Sequence, residues 1–200
     1  GVSSAASDVY KRQEKNLPIC EIDDCTESAC LTNDNEFIVT GTKQGLVKVW
    51  ELKSGNCVRI LKGHTQKVTC VCVTADGKRI VSGSHDNTLR VWDFDREHCL
   101  RLLEGHTQCV NSIAISSDGK EVISASDDRT LRIWNIQSGK CIQQPNNSSS
   151  WVNCIRLASD HKKIIAGCSD SGIRIFDFER GECVQEIQGH SSGIVEAEFS

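Results

Sequence analysis

Residues 63–93 read GHTQKVTCVCVTADGKRIVSGSHDNTLRVWD. They begin with Gly63-His64, turn at Asp76-Gly77, pass through Ser84-His85-Asp86 and end on Trp92-Asp93. Much of the remaining chain is this unit again, in good or poor copy. Trp50, Trp92 and Trp134 stand 42 residues apart, and the next step falls on Phe176. Gly63-His64 returns as Gly105-His106, is absent at Asn147-Ser148, and returns as Gly189-His190. A fixed period of roughly 20–50 residues marks a repeat architecture, in which each unit buries its surface only against its neighbours.

Within the unit, residues 68–74 are rich in Val, Thr and Cys and predict a strand. Asp76-Gly77 predicts a tight hairpin with positive φ at its central residues. Residues 79–84, 88–93 and 99–103 predict three further strands, so each copy makes one four-stranded antiparallel sheet. The turn column is Asp34, Asp76, Asp118 and Asp160, followed by Asn35, Gly77, Gly119 and His161, so the first and fourth copies carry poorer turns. The third-strand column reads LVKVW, LRVW, LRIW and IRIF, apolar on both faces, as for a strand covered on both sides. Lys48, Arg90, Arg132 and Arg174 punctuate it and read as struts whose heads reach the sheet edge. A net charge of −4 denies them the basic surroundings a phosphate track needs.

The copies run over about 18–62, 63–104, 105–146 and 147–188, and residues 189–200 open a fifth. A chain that stops inside a strand is expected to be a fragment of a longer one. Such an array without closure is expected to be marginal or aggregation-prone by itself. Residues 1–17 match no column, and SSAASDVYKRQ at 3–13 resembles translated adapter sequence, so this segment is set aside as not native. No run of about 18 apolar residues is present and no secretory leader is visible, so a membrane partner is not expected.

Twelve cysteines would suggest a disulfide framework in a secreted chain. Here they fall into columns: Cys57, Cys99, Cys141 and Cys183; Cys30 and Cys72; Cys70 and Cys154; Cys25 and Cys109. Column-mates occupy equivalent points of successive units and are not expected to face one another, while a disulfide needs Cα atoms within about 7 Å. Most of them read as small buried hydrophobes in a reducing compartment, cytoplasmic with the nucleus as the alternative. Disulfides and metal ligation are the competing readings.

Three sharper chemistries are weighed and set aside. Ser, His and Asp together suggest a hydrolase, but the trio occurs twice, inside strand sequence and tied to a Trp, where a nucleophilic site needs one exposed serine. Cys20, Cys25 and Cys30 with the pair Cys70 and Cys72 suggest zinc, but the second half of a zinc pattern is missing. GTKQG at 41–45 lacks the Gly-Lys-Ser/Thr of a phosphate loop. No catalytic residue, metal ligand or cofactor is assigned.

Gly-His, an Asp-Gly turn, Ser-x-Ser-x-Asp and Trp-Asp at this period resemble the WD-repeat family of β-propellers, over about residues 18–200. The resemblance implies an all-β partial propeller of four blades and the start of a fifth. It implies structural tetrads of His64, Ser82, Asp86 and Trp92, and of His106, Ser124, Asp128 and Trp134, each a chain of hydrogen bonds from Trp through Ser and His to Asp. Copy one has Thr40 and Trp50 but Ile22 and Gln44 for His and Asp. Copy four has Asp170 but Ser148, Ala166 and Phe176. Blades one and four are therefore expected to rely on packing. The family's channel rim maps to Cys25, Lys67, Cys109 and Trp151 at the starts of the first strands, and to Lys43, His85, Asp127 and Ser169 in the turns after the second. Trp151 is either an aromatic anchor for a partner or a filler of the gap left by Ser148 and Phe176. The resemblance implies a non-enzymatic scaffold that binds proteins or peptides and the rest of its own larger chain, not nucleic acid. The texture of SGNCVRILKGHTQKV and GKEVISASDDRTLRIW looks most like the arrays of NACHT-type and apoptosome-type ATPases, where the repeats act as sensor or brake. The substrate propellers of F-box ubiquitin ligases and the G-protein beta subunits come next, and a propeller hydrolase last.

Overall fold

The computed structural model describes residues 26–145, 150–158, 160–189 and 192–194. Every regular element among them is a strand. The first sheet holds β1 (Thr26–Leu31), β2 (Phe37–Thr42), β3 (Leu46–Glu51) and β4 (Cys57–Lys62). The second holds β5 (Val68–Val73), β6 (Arg79–Ser84), β7 (Leu89–Asp93) and β8 (Cys99–Leu103). The third holds β9 (Val110–Ile115), β10 (Glu121–Ser126), β11 (Leu131–Asn135) and β12 (Cys141–Gln143), and the fourth β13 (Val152–Leu157), β14 (Lys163–Cys168), β15 (Ile173–Asp177) and β16 (Cys183–Ile187). Strand order within each sheet follows the chain. Pairing between second and third strands repeats one register: Thr40 opposite Lys48, Ser82 opposite Arg90, Ser124 opposite Arg132, Ala166 opposite Arg174. The fold is thus all-β, four antiparallel four-stranded sheets arranged as propeller blades.

The Asp-Gly turn is longer than a two-residue hairpin. Thr74 N–H reaches Arg79 O at 3.0 Å and Gly77 N–H reaches Thr74 O at 2.9 Å, with only Gly77 left-handed, at φ 69°. Asp76 serves by accepting: its Oδ1 takes the Lys78 N–H at 3.0 Å and the Thr74 hydroxyl at 2.6 Å. Asn35 and His161 hold the same left-handed seat at φ 58° and 56°, a conformation Asn reaches more readily than His.

The core lies between sheets. Val39, Val47, Val49 and Leu61 of the first sheet pack on Val68, Val71, Ile80 and Trp92 of the second. Val81, Leu89 and Leu103 pack in turn on Val110, Val122 and Trp134. Ile123, Leu131 and Ile133 pack on Val152, Ile164 and Phe176. Each aromatic of the period thus plugs the seam to the preceding sheet, and Trp92, Trp134 and Phe176 are each 1 % exposed. Trp50 occupies the corresponding place on the first sheet and is only half-buried.

The first strands lie side by side at the hub. Thr69 Oγ1 donates to Val110 O at 2.5 Å, Asn111 Nδ2 to Val152 O at 3.1 Å and Asn153 Nδ2 to Ile194 O at 2.9 Å. Ile194 therefore takes the seat against the fourth sheet that Val110 and Val152 take against theirs. Gly83 and Gly167 permit this closeness. A Cβ on Gly83 would stand 2.7 Å from Val110 Cγ1, and one on Gly167 2.6 Å from Ile194 Cγ2.

One cysteine expectation is corrected. The outer column is not buried: Cys57, Cys141 and Cys183 are exposed and Cys99 half-buried. Outer strands face solvent on their free edge, and only inner strands are covered on both sides. Cys30 and Cys72 lie on β1 and β5, first strands of neighbouring sheets, and both are half-buried.

Candidate partner-binding rim

The rim is built on a buried brace. In the second sheet Trp92 Nε1–H donates to Ser82 Oγ at 2.8 Å, Ser82 lies 2.8 Å from His64 Nε2, and His64 Nδ1 lies 2.8 Å from Asp86 Oδ2. In the third sheet Trp134, Ser124, His106 and Asp128 repeat this at 2.8, 2.7 and 2.7 Å. The donors are consistent when each serine hydroxyl gives its hydrogen to Nε2 and each Nδ1–H gives to Asp. Ser82 and Ser124 are 0 % exposed, and each oxygen is already committed to two partners. A seryl oxygen sealed in this way cannot reach a substrate carbonyl.

The brace ends in the turn that carries the rim. Asp86 Oδ2 also accepts Thr65 N–H at 3.0 Å, and its Oδ1 accepts the Thr88 hydroxyl at 2.6 Å. Asp128 does the same with Thr107 and Thr130. Burial pushes both carboxyls up, but the hydrogen bonds from His and Thr outweigh it and hold them well below the usual carboxylate range. Each Asp thereby fixes the turn in which His85 or Asp127 precedes it. Gly63 and Gly105 are needed for close approach: a Cβ at either would lie 2.8 Å from the guanidinium of Arg90 or Arg132. Those two arginines lie over Trp92 and Trp134, 5.8 and 5.9 Å from the ring centroids.

The fourth sheet is not held by packing alone. Arg174 is buried, and its guanidinium takes both oxygens of Asp170, at 3.2 and 2.6 Å, together with Glu186 Oε1 at 2.8 Å. It thus takes over the Asp that His holds in the second and third sheets. The hydrogen bond from Arg174 keeps the Asp170 carboxyl far down, and the same bond raises Arg174. Ser148 lies outside the described residues. In the first sheet Trp50 Nε1–H still reaches Thr40 Oγ1 at 2.9 Å, so a polar link survives there too; Ile22 lies outside the described residues, and Gln44 is exposed.

The rim residues pair through backbone hydrogen bonds. His85 N–H meets Lys67 O at 2.9 Å, Asp127 N–H meets Cys109 O at 3.0 Å, and Ser169 N–H meets Trp151 O at 3.0 Å. Lys67 and Lys43 converge on Glu27, at 2.9 and 3.7 Å. Burial raises the Glu27 carboxyl, and the two lysines bring it down on balance. Asn111 Nδ2 bridges Asp127 Oδ1, at 2.7 Å, to Val152 O. Trp151 is 51 % exposed, while Phe176 is buried. Cys25 lies outside the described residues, as does Cys20. Among the described residues no three His, Cys, Asp or Glu side chains stand together as metal ligands. A polar cleft of about 190 Å³ lies at the opposite end, between the turns bearing Asp76 and Asp118.

Glu27 and Asn111 were not singled out in the sequence. They share a column with Thr69 and Asn153, and polar residues next to the first strand's start were the available signal.

Sheets braced from within, with free turns at one end, define a β-propeller interaction module. The sequence model described as "WD domain, G-beta repeat" matches residues 55–93, 97–135 and 139–177, more than half of the chain. The chain belongs to the WD-repeat family. Among its relatives, Mitochondrial division protein 1 of Saccharomyces cerevisiae (strain ATCC 204508 / S288c) is 40% identical over 58 residues, 23% of this chain and 8% of that protein. CCR4-associated factor 4 of S. cerevisiae (strain YJM789) is 51% identical over 35 residues, 18% of this chain and 5% of that protein. Autophagy-related protein 16 of Arabidopsis thaliana is 38% identical over 42 residues, 21% and 8%. Each match spans less than a tenth of the relative's own length.

Proposed function

We propose that this chain is a non-enzymatic docking platform, and that partners bind the rim of Lys43, Lys67, His85, Cys109, Asp127, Trp151 and Ser169. The observation that carries this is Trp151: it stands 51 % exposed on a turn-rich rim while Trp92 and Trp134 are sealed in seams. Exposed aromatics next to fixed polar groups are the usual anchors of an interface. WD-repeat proteins as a class are scaffolds for protein assembly, and the partner here is a protein or peptide segment.

The repeat texture supports a wider setting: the sensor array of a larger signalling protein of NACHT-WD type, in the cytoplasm or nucleus. The ten described cysteines, none in a disulfide, suit a reducing compartment. A substrate propeller of an F-box ligase or a G-beta-like scaffold is the second setting; whether a NACHT, F-box or coiled-coil segment accompanies the repeats discriminates between them.

The binding face is tested by placing a photo-crosslinking residue at Trp151, at Asp127 and, on the outer edge, at Val58 in the full-length protein in cells. Rim positions are expected to yield defined partner adducts and Val58 few. Adducts concentrated at Val58 would reverse the assignment.

A further inference from the structure

Two rim residues from different sheets are brought to one spot by a single side chain. Asp127 stands in the turn after β10 of the third sheet, and Trp151 immediately before β13 of the fourth. Asn111, on β9, donates through its Nδ2 to Asp127 Oδ1 at 2.7 Å and to Val152 O at 3.1 Å. One amide thus spans from the carboxylate to the residue that follows Trp151. The two oxygens are no further apart than those two hydrogen bonds laid end to end. Ser169 N–H holds Trp151 O at 3.0 Å, so the backbone that carries the indole is fixed from both sides.

Both side chains keep bonding capacity that the fold does not use. Asp127 is the one carboxylate in the turn column of Lys43, His85, Asp127 and Ser169, and it is half-buried. Its Oδ1 serves Asn111; among the described residues its Oδ2 has no hydrogen-bond or ion-pair partner, Arg129 two places on included. Trp151 is 51 % exposed. Its neighbours in the column of first-strand starts are Cys109 and Gly193, one small and the other without a side chain, so neither offers bulk to cover the indole. A Cβ on Gly193 would stand 3.1 Å from Ser169 O. At the first seam the rim has the opposite character, with Lys43 and Lys67 gathered on Glu27.

Resting on the platform reading, we propose that Asp127 and Trp151 form one subsite for a basic side chain, and that the partner segment presents an arginine there. The guanidinium lies on the indole face while one of its N–H groups donates to Asp127 Oδ2. Arginine suits both surfaces, because its plane stacks on an aromatic face and its edge donates to a carboxylate. Lysine satisfies the charge and lacks the plane. Asn111 already takes Oδ1, so the ion pair is end-on and the indole supplies the rest of the hold. An acidic segment would bring a second negative charge to Asp127 with no hydrogen to give. The net charge of −4 favours the approach of a basic segment from a distance.

The test selects a random heptapeptide phage library on the full-length protein and titrates the enriched peptides against wild type, Asp127→Asn and Trp151→Ala. Asparagine keeps an oxygen for Asn111 and removes the charge, so the turn should hold; melting temperatures of both variants check that they fold. The consensus should contain arginine. Affinity should fall about fivefold in Asp127→Asn and by a similar factor in Trp151→Ala. Added salt should weaken binding to wild type more than binding to Asp127→Asn. Citrulline in place of the arginine should weaken binding to wild type and make little further difference to Asp127→Asn. No consensus, a consensus without a basic residue, or arginine peptides indifferent to either substitution would overturn the proposal. Non-basic peptides that are still lost in Trp151→Ala would leave the docking platform standing without this subsite. Peptides indifferent to every rim substitution would remove the platform reading as well.

Discussion

Replacing Trp134 by Phe removes one N–H and puts a smaller ring in a sealed site. The Ser124 oxygen is 0 % exposed and receives that N–H at 2.8 Å while giving its own hydrogen to His106. Without the indole the serine oxygen loses that donor in a buried site. An unmet buried polar group costs about 1–3 kcal/mol, and the smaller ring adds a void. For a domain of this length each kcal/mol lowers the melting temperature by about 2–4 °C, so a fall of about 2–12 °C is expected by calorimetry. Two comparisons make the result decisive. Trp50→Phe, on the half-buried and less complete first brace, should cost less. Ser124→Ala combined with Trp134→Phe recreates the Ala166 and Phe176 of the fourth sheet and removes both partners at once. The double variant should therefore be more stable than the two single losses predict, by about 0.5–3 kcal/mol. Strict additivity, or equal losses for Trp50→Phe and Trp134→Phe, would refute the brace.

Other outcomes follow from the same geometry. Asp86 and Asp128 are held below their unfolded values, so their stabilisation is full above about pH 4 and is lost as pH falls further. Asp128→Asn should lower the melting temperature near neutrality and flatten its acid decline, read by calorimetry across pH. Arg174→Lys should not restore what Arg174→Ala loses in thermal stability, because a point charge cannot take both oxygens of Asp170 and Glu186 together. Acrylamide should quench mainly Trp151 and Trp50, and Trp151→Phe should remove the larger part of the quenchable emission; unchanged quenching would mean Trp151 is covered.

The period of 42 made the strands legible because inner strands need apolar residues on both faces and each sheet needs the same turns. Strand edges such as 79–84 and 99–103 coincide with β6 and β8 for that reason. What lies between sheets was harder to read. A column states that residues are equivalent and not where they lie; that depends on radius, which is why Cys70 and Cys154 on first strands are buried while Cys57, Cys141 and Cys183 on fourth strands are exposed. Arg174 swings to Asp170 because a histidine is lacking there, a rearrangement visible as a missing His at 148 but not as a direction for the arginine. The glycine column of Gly41, Gly83 and Gly167, broken by Ala125, is readable as a site of close approach.

The position before each braced aspartate has a further meaning. Asp86, Asp128 and Asp170 are one residue type, while their immediate neighbours His85, Asp127 and Ser169 are an imidazole, a carboxylate and a hydroxyl. Anchoring and recognition are separated by a single peptide bond. New ligand preferences can therefore arise by point changes at the outward residue, with the inward one keeping the turn in place, so specificity can drift without a toll on folding.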